Sequence, residues 1–414
     1  MRCALTHDLD DMSEVITKVI TSPERERILT LDFQELTTVM DVLQALVDER
    51  RKNHRLIGRF LKKVVRRRNA LPPYLFLSGV RRIGANPVCG GGFADIWKGE
   101  IQGKSVALKV LRIFGNSEDR HKVLQEFCKE AMVWRQFDHD NVLPFYGCCI
   151  DEFSPLYALV SPWMTHGDLP SFLKRHPDTD RIAMIRGVAL GLCYLHCLKP
   201  QVIHGDLRGS NILIDEQCQP RIADFGLAKV LDSQATNVAG SSFNGKGSIR
   251  WQAPELLAAV RFDDIEEDDA KVTGKSDIYA LASVCLEVFT GEVPFSNLRD
   301  GMVLRAIVID DRRPARPTGL ATQRGLDDNM WALLQDCWQT NPSRRPDMKA
   351  VLLRLPPYDA WTEVVRTFQH SASDFLLKPL DVFKLPEDAN HFPGGMPRVD
   401  GPFGVDLDFF DDGD

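Results

Sequence analysis

Apolar side chains recur along residues 1 to about 75 with the spacing of helices. Leu36, Val39, Met40, Leu43, Leu46 and Val47 form one stripe, and Leu56, Ile57, Phe60, Leu61, Val64 and Val65 form a second. Each stripe predicts an amphipathic helix with one buried face. Pro72-Pro73 ends the pattern, because proline lacks the donor that a helix interior requires. The two stripes read as a helical hairpin preceding the main domain. From about 80 to 160 the period shortens. Ala94–Gly99 and Ser105–Val110 read as strands, and a single helical stripe of Leu124, Phe127, Ala131 and Trp134 interrupts them. From about 168 to 355 the pattern is mostly helical, with short strands near Ile212–Ile214 and Arg221–Ala223. Beyond about 357 the periodicity is lost while Pro, Gly and Asp accumulate, which predicts a largely disordered acidic tail. The chain divides into a helical extension over 1–75, a main domain over 80–355 and a tail over 356–414. A strand-rich small lobe (80–161) followed by a helix-rich large lobe (165–355) makes the fold class α+β and two-lobed.

Composition narrows the class without setting it. With 414 residues, 44% of them apolar, the chain can bury more than one core. A net charge of -7 argues against a general nucleic-acid binder, so no nucleic-acid partner is expected. The ten cysteines are scattered with no C-x-x-C pair, which suits a reduced compartment. The expected location is cytoplasmic, with the nucleus open. Met1–Asp8 lacks the basic start and apolar run of a signal peptide, and Arg2 stands where myristoylation needs glycine. No cysteine near the end offers a prenyl site, and no apolar run approaches the roughly 18 residues of a membrane span. The basic residues Arg50–Lys52, Lys62-Lys63 and Arg66–Arg68 leave two readings for the N-terminal helices. They pack as a cap on the small lobe, or they offer a basic face to a regulatory partner or an anionic surface.

Four segments carry candidate chemistry. Cys89-Gly90-Gly91-Gly92-Phe93-Ala94-Asp95-Ile96 is a glycine-rich turn between strands, where backbone N–H groups can approach a phosphate closely. Lys109 sits in the apolar strand Val106–Val110, and burying it requires a partner, most naturally Glu130. The loop His204–Asn211 places Asp206 to orient a hydroxyl proton, Arg208 to contact a transferred phosphate and Asn211 to reach a metal. Asp224, in Asp224-Phe225-Gly226, can chelate Mg²⁺ on the phosphates. These are the parts phosphoryl transfer asks of a protein, in order along the chain.

Residues from about 82 to 355 resemble the eukaryotic protein-kinase catalytic domain. Ala253-Pro254-Glu255, Asp277 in Lys275–Tyr279, and Arg345 in Pro342–Pro346 match the family's remaining landmarks. Cys337-Trp338 and Trp251–Glu255 resemble the tyrosine-kinase-like group. Gly90–Gly99 with His204–Gly209 is similar to kinases of mushroom-forming fungi. The resemblance implies a protein kinase using ATP and Mg²⁺, with Mn²⁺ as a substitute, on a protein substrate. It implies an adenine site at the hinge, with Ser161 as gatekeeper and the backbone of Pro162 and Met164 as its polar contacts. Val88 and Ala107 would lie above the adenine and Leu213 below it. Asp168 reads equally as a ribose contact or a helix N-cap.

Three departures from the family pattern carry consequences. Cys89 and Ala94 stand where two of the three loop glycines are usual, leaving Gly91, which implies a weakened nucleotide grip. Gly205 replaces the arginine that binds a phosphorylated activation loop, so activity should not depend on phosphate at Ser233, Thr236, Ser241 or Ser242. Arg208 replaces the usual lysine, and Ser248 keeps a hydroxyl, which leaves the acceptor leaning to serine and threonine with tyrosine open. Two alternatives remain, a scaffold of the same fold without activity and a small-molecule phosphotransferase. Retention of Lys109, Asp206 and Asp224 argues against the first, and the Ala253–Glu255 segment against the second.

Overall fold

The computed structural model describes residues 2–49, 51–68, 71–90, 94–112, 127–128, 130–153, 156–198, 201–224, 248–259 and 272–356. Gly91, Gly92, Phe93, Phe225, Gly226, the segment 225–247, the acidic run 263–269 and the tail from 357 lie outside these residues.

The N-terminal stripes form helices, with more built around them than a hairpin. α1 (Arg2–Thr21) and the short α2 (Arg25–Leu29) precede α3 (Phe33–Asp48) and α4 (His54–Arg68), and α1 packs against both long partners. Asp32 caps α3 by accepting the Glu35 N–H at 2.8 Å. Leu36, Met40, Leu43, Leu46, Ile57 and Val64 are fully buried, so both stripes face one core. Much of the basic face meets acids of the same bundle. Lys63 and Arg67 each reach Glu26 at 3.4 Å, Lys52 reaches Glu14 at 2.8 Å, and Arg68 donates to the Leu29 carbonyl at 2.7 Å.

The small lobe is a six-stranded antiparallel sheet. Its strands are β1 (Arg81–Ile83), β2 (Cys89–Gly90), β3 (Ala94–Ile101), β4 (Lys104–Leu111), β5 (Gly147–Cys149) and β6 (Ala158–Pro162). They run in the order β1-β3-β4-β6-β5, with β2 also paired to β3. Gln102 (φ 50°) and Gly103 (φ 77°) turn β3 into β4, and two positive φ angles suit a tight hairpin of this twist. Alternation then sorts β4. Val106, Leu108 and Val110 enter a core with Ala158 and Val160. Ala107 and Lys109 face the opposite way. Helical residues 127–128 and 130–134 (α5) bring buried Phe127 and Ala131 beside the sheet.

The large lobe is helical. It holds α6 (Leu169–Arg175), α7 (Arg181–Cys197), α8 (Pro254–Ala259), α9 (Gly274–Thr290), α10 (Asp300–Val308), α11 (Leu320–Gln323), α12 (Asp328–Cys337) and α13 (Met348–Arg354). Two short strands, β7 (Ile212–Ile214) and β8 (Pro220–Ile222), pair antiparallel beside α7. α9 is buried from Ser276 to Phe289, which explains its nearly continuous apolar run. A capping box at Thr273 and Ser276 starts it, and Gly291 at φ 80° stops it. Arg345 is 1% exposed and grips Glu255 through two bonds of 2.7 Å. Among the described residues no helix is long and apolar enough to cross a membrane.

Candidate active site

Strand register assembles the upper wall. Cys89 lies opposite Ile96, Ile96 opposite Lys109, Ala94 opposite Leu111, and Ala107 opposite Ser161. Directly opposed residues share a face, so Cys89, Ala94, Ile96, Ala107, Lys109 and Ser161 all line one side of the sheet. Val88 precedes them, 57% exposed, with its N–H on the Ile96 carbonyl at 2.8 Å. Gly90 also lies beneath an ion pair of its neighbours. A Cβ there would stand 2.7 Å from Asp95 Oδ1, inside the Asp95–Arg112 ion pair that crosses it.

The hinge follows at the end of β6. Ser161 is buried, and Pro162 lies opposite Val106. The Met164 carbonyl accepts the Gly167 N–H at 3.1 Å. Asp168 caps α6, its Oδ1 accepting the Ser171 N–H at 2.8 Å, so one oxygen serves the helix. Leu213, half-buried on β7, forms an isolated bridge with Asp168 from below.

The start of the catalytic loop hangs from a carboxylate of α9. Asp277, 1% exposed, accepts the His204 N–H and the Gly205 N–H at 2.9 Å each and His196 Nε2 at 2.8 Å. Gly205 reaches its bond at φ 78°, a conformation glycine takes without steric cost. Buried His204 donates from Nε2 to the Ala223 carbonyl at 2.9 Å, which leaves Nδ1 to accept the Asp206 N–H at 3.2 Å. Asn211 Nδ2 donates to the Asp206 carbonyl at 2.8 Å and to its Oδ2 at 3.0 Å. Arg208 Nε stands 3.5 Å from the same oxygen. Burial raises the Asp206 carboxyl, against the pull of Arg208, His204 and Asn211.

Lys109 has its expected partner and a nearer one within ion-pair distance. Lys109 makes its short ion pair with Asp224, while Glu130 stands 3.9 Å away. Burial works against the Lys109 charge, but Asp224 and then Glu130 outweigh it and hold its pKa above the ordinary value. Lys109 in turn holds the Asp224 carboxyl below the usual range. Glu130 is buried with neither oxygen hydrogen-bonded among the described residues, and burial pushes it up to about 8. The cause is competition. The nearer carboxylate takes the cation and leaves the deeper one unsatisfied. Asp224 adopts φ 63°, a left-handed conformation rare outside glycine and found where surrounding structure over-determines it.

Two contributors had no role in the sequence reading. His196 gives Asp277 its third donor. Glu287, ten residues beyond Asp277 on α9, accepts the Gly209 N–H at 3.1 Å and Trp251 Nε1 at 3.0 Å. The signal for Glu287 was available, a lone acid in the apolar run Ile278–Phe289. For His196 no local signal exists, because its partner lies 81 residues away.

The family model for protein tyrosine and serine/threonine kinase matches residues 85–355, more than half the chain. The serine/threonine-protein kinase STY17 of Arabidopsis thaliana is 29% identical over 266 residues, covering 63% of this chain and 42% of the relative. The serine/threonine/tyrosine-protein kinase HT1 of the same plant is 29% identical over 280 residues, covering 66% and 65%. The probable serine/threonine-protein kinase drkB of Dictyostelium discoideum is 30% identical over 268 residues, covering 63% and 35%. The chain therefore spans between about a third and two thirds of the length of these curated relatives. With a matched segment that holds the whole assembly from Val88 to Arg345, the chain belongs to the protein tyrosine and serine/threonine kinase family.

Proposed function

We propose that the protein transfers the γ-phosphoryl group of ATP to serine or threonine hydroxyls of a protein substrate. The observation that carries this reading is the convergence of Asp206, Asn211, Lys109 and Asp224 around a loop tied to Asp277. In the transfer, the acceptor oxygen forms its bond to the γ-phosphorus as the bond to the ADP oxygen breaks. Asp206 orients the acceptor hydroxyl and takes its proton, and Arg208 lies beside Asp206 to contact the moving phosphoryl group. Lys109 holds the nucleotide phosphates, and Glu130 stands behind it to fix its position. The face formed by Cys89, Ala94, Ile96, Ala107 and Ser161, with Val88 and Leu213, encloses the nucleotide, and Pro162 and Met164 supply backbone contacts. Gly90 stands at the edge of the phosphate cover, whose remaining residues Gly91, Gly92 and Phe93 lie outside the described residues.

The donors fit a hard divalent ion. Asn211 and Asp224 offer oxygen ligands, the donors such an ion prefers. Mg²⁺, or Mn²⁺ in its place, would be held by these two side chains and would neutralise charge on the phosphate oxygens.

The acceptor preference rests on Ser248, which accepts from Gln252 Nε2 at 3.2 Å just before the Ala253–Glu255 segment. The N-terminal bundle serves as a cap on the small lobe, because much of its basic face is satisfied internally. Incorporation of labelled phosphate from Mg²⁺-ATP should be abolished in Asp206→Asn, with phosphoamino-acid analysis returning phosphoserine and phosphothreonine. Equal incorporation in both proteins would remove Asp206 from the chemistry.

A further inference from the structure

A cavity opens beside the catalytic loop, which reaches it at Gly209. Its volume is about 480 Å³, and it lies between α6, the start of α7 and the end of α9. Three cations line it, Lys174, Arg181 and Arg324, against one acid, Glu287. The Glu287 carboxylate is already engaged by the Gly209 and Trp251 N–H groups.

Arg181 is the unusual member. It is 2% exposed, yet its Nε and Nη1 make no hydrogen bond among the described residues. Only Nη2 is satisfied, by the Pro177 carbonyl at 3.0 Å and weakly by the Leu173 carbonyl at 3.5 Å. A buried guanidinium with free donors is costly unless an anion meets it. Burial, and after it the Arg324 charge, holds its pKa below the ordinary guanidinium value, with Asp178 opposing. Arg324 is itself fixed by the Phe289 and Thr290 carbonyls at 2.8 and 3.3 Å, so its position is built rather than incidental.

We propose that this cavity is an acidic-residue subsite for the protein substrate, in which Arg181, Lys174 and Arg324 receive a carboxylate or phosphate carried near the acceptor hydroxyl. The placement points to substrate rather than to a free effector. Gly209 both lines the cavity and opens the three-residue turn Gly209–Asn211 that follows Arg208, so a side chain bound here leaves its own backbone at the catalytic loop. The free donors of Arg181 have the fork geometry that matches carboxylate and phosphate oxygens. The inference rests on the phosphoryl-transfer reading and adds the class of substrate.

The test is phosphorylation of a peptide library by the full chain with Mg²⁺-ATP. The peptides hold a fixed serine or threonine and carry aspartate, glutamate, phosphoserine, glutamine or lysine at each flanking position. Selection of an anionic residue at one flanking position is expected. Aspartate and phosphoserine arms of equal strength identify charge as the determinant, and a stronger phosphoserine arm identifies phosphate. Arg181→Gln should reduce the kcat/KM ratio of acidic to glutamine peptide by about tenfold, about 1.4 kcal/mol. Because Arg181 is buried, the exposed Lys174→Glu provides the second variant, and it should move selection at that position toward lysine. Incorporation without selection, or selection unchanged in both variants, overturns the subsite alone. No incorporation into any peptide overturns the phosphoryl-transfer reading with it. A uniform rise on every peptide, both in Arg324→Gln and on deletion of residues 357–414, would make the acidic tail the occupant and overturn the substrate assignment.

Discussion

Asp277 shows how much one buried side chain can hold. Its two oxygens accept three N–H groups, two of them from the backbone that turns into Asp206. Replacing it by alanine leaves those donors buried and unmatched. Asp277→Ala should therefore lower stability by about 3 kcal/mol or more. Urea denaturation measures the loss, and phosphoryl transfer should fall further than the folded fraction does. Glu287 makes a different prediction, one that depends on pH. Burial raises its carboxyl from an ordinary value near 4.5 to about 7, against the pull of the Trp251 and Gly209 donors. A raised folded pKa means the native state holds the proton where the unfolded chain has released it. The stabilisation is complete below about 4.5 and is lost as pH rises through about 7. Melting temperatures taken across that window should fall in the wild type relative to Glu287→Gln, whose amide does not titrate.

Elements explain why some of this was legible in the sequence and some was not. The β3–β4 hairpin could be read because alternation and a two-residue turn are local properties. The face bearing Ala107 and Lys109 then follows from counting by two. The loop His204–Asn211 was legible because its three chemical groups lie within eight residues. The pairing of Lys109 with Asp224 was not, because it depends on which of two carboxylates comes nearer across 115 residues of chain. Likewise a helical stripe announces burial but not its partner. The bundle α1–α4 meets the small lobe where Arg135, just beyond α5, reaches Asp48 at 2.6 Å and Lys62 reaches Gln136 at 3.3 Å. Leu77 also donates to the Cys148 carbonyl on β5 at 2.8 Å. The bundle therefore touches the end of the helix that carries Glu130. Leu43 is fully buried in it, and Leu43→Ala should cost about 3 kcal/mol. Asp48→Ala removes the half-exposed Arg135 ion pair, about 0.5 kcal/mol, and strands the buried Gln44 amide that donates to its other oxygen at 2.6 Å, about 1 kcal/mol more. Chemical denaturation of the two variants separates a cap held by apolar packing from one held by surface charge.

The whole molecule places two walls of opposite origin around one cleft. The sheet supplies Lys109, and the large lobe supplies Asp206, Asn211 and Asp224 from segments fixed to α9. The Lys109–Asp224 ion pair joins the cation of one wall to an acid of the other. That pair makes the cleft its own counter-ion reservoir. Phosphate oxygens compete with Asp224 for the lysine, and a divalent ion competes with the lysine for Asp224, so either arrival frees a partner for the other. Nucleotide and metal should consequently bind with positive, reciprocal coupling, each tightening the other by the same factor. Calorimetric titration of nucleotide with and without the metal, and of metal with and without nucleotide, measures both sides of that cycle. In Asp224→Asn the neutral amide no longer restrains Lys109. Metal-free nucleotide should then bind more tightly than it does to the wild type, even as phosphoryl transfer is lost.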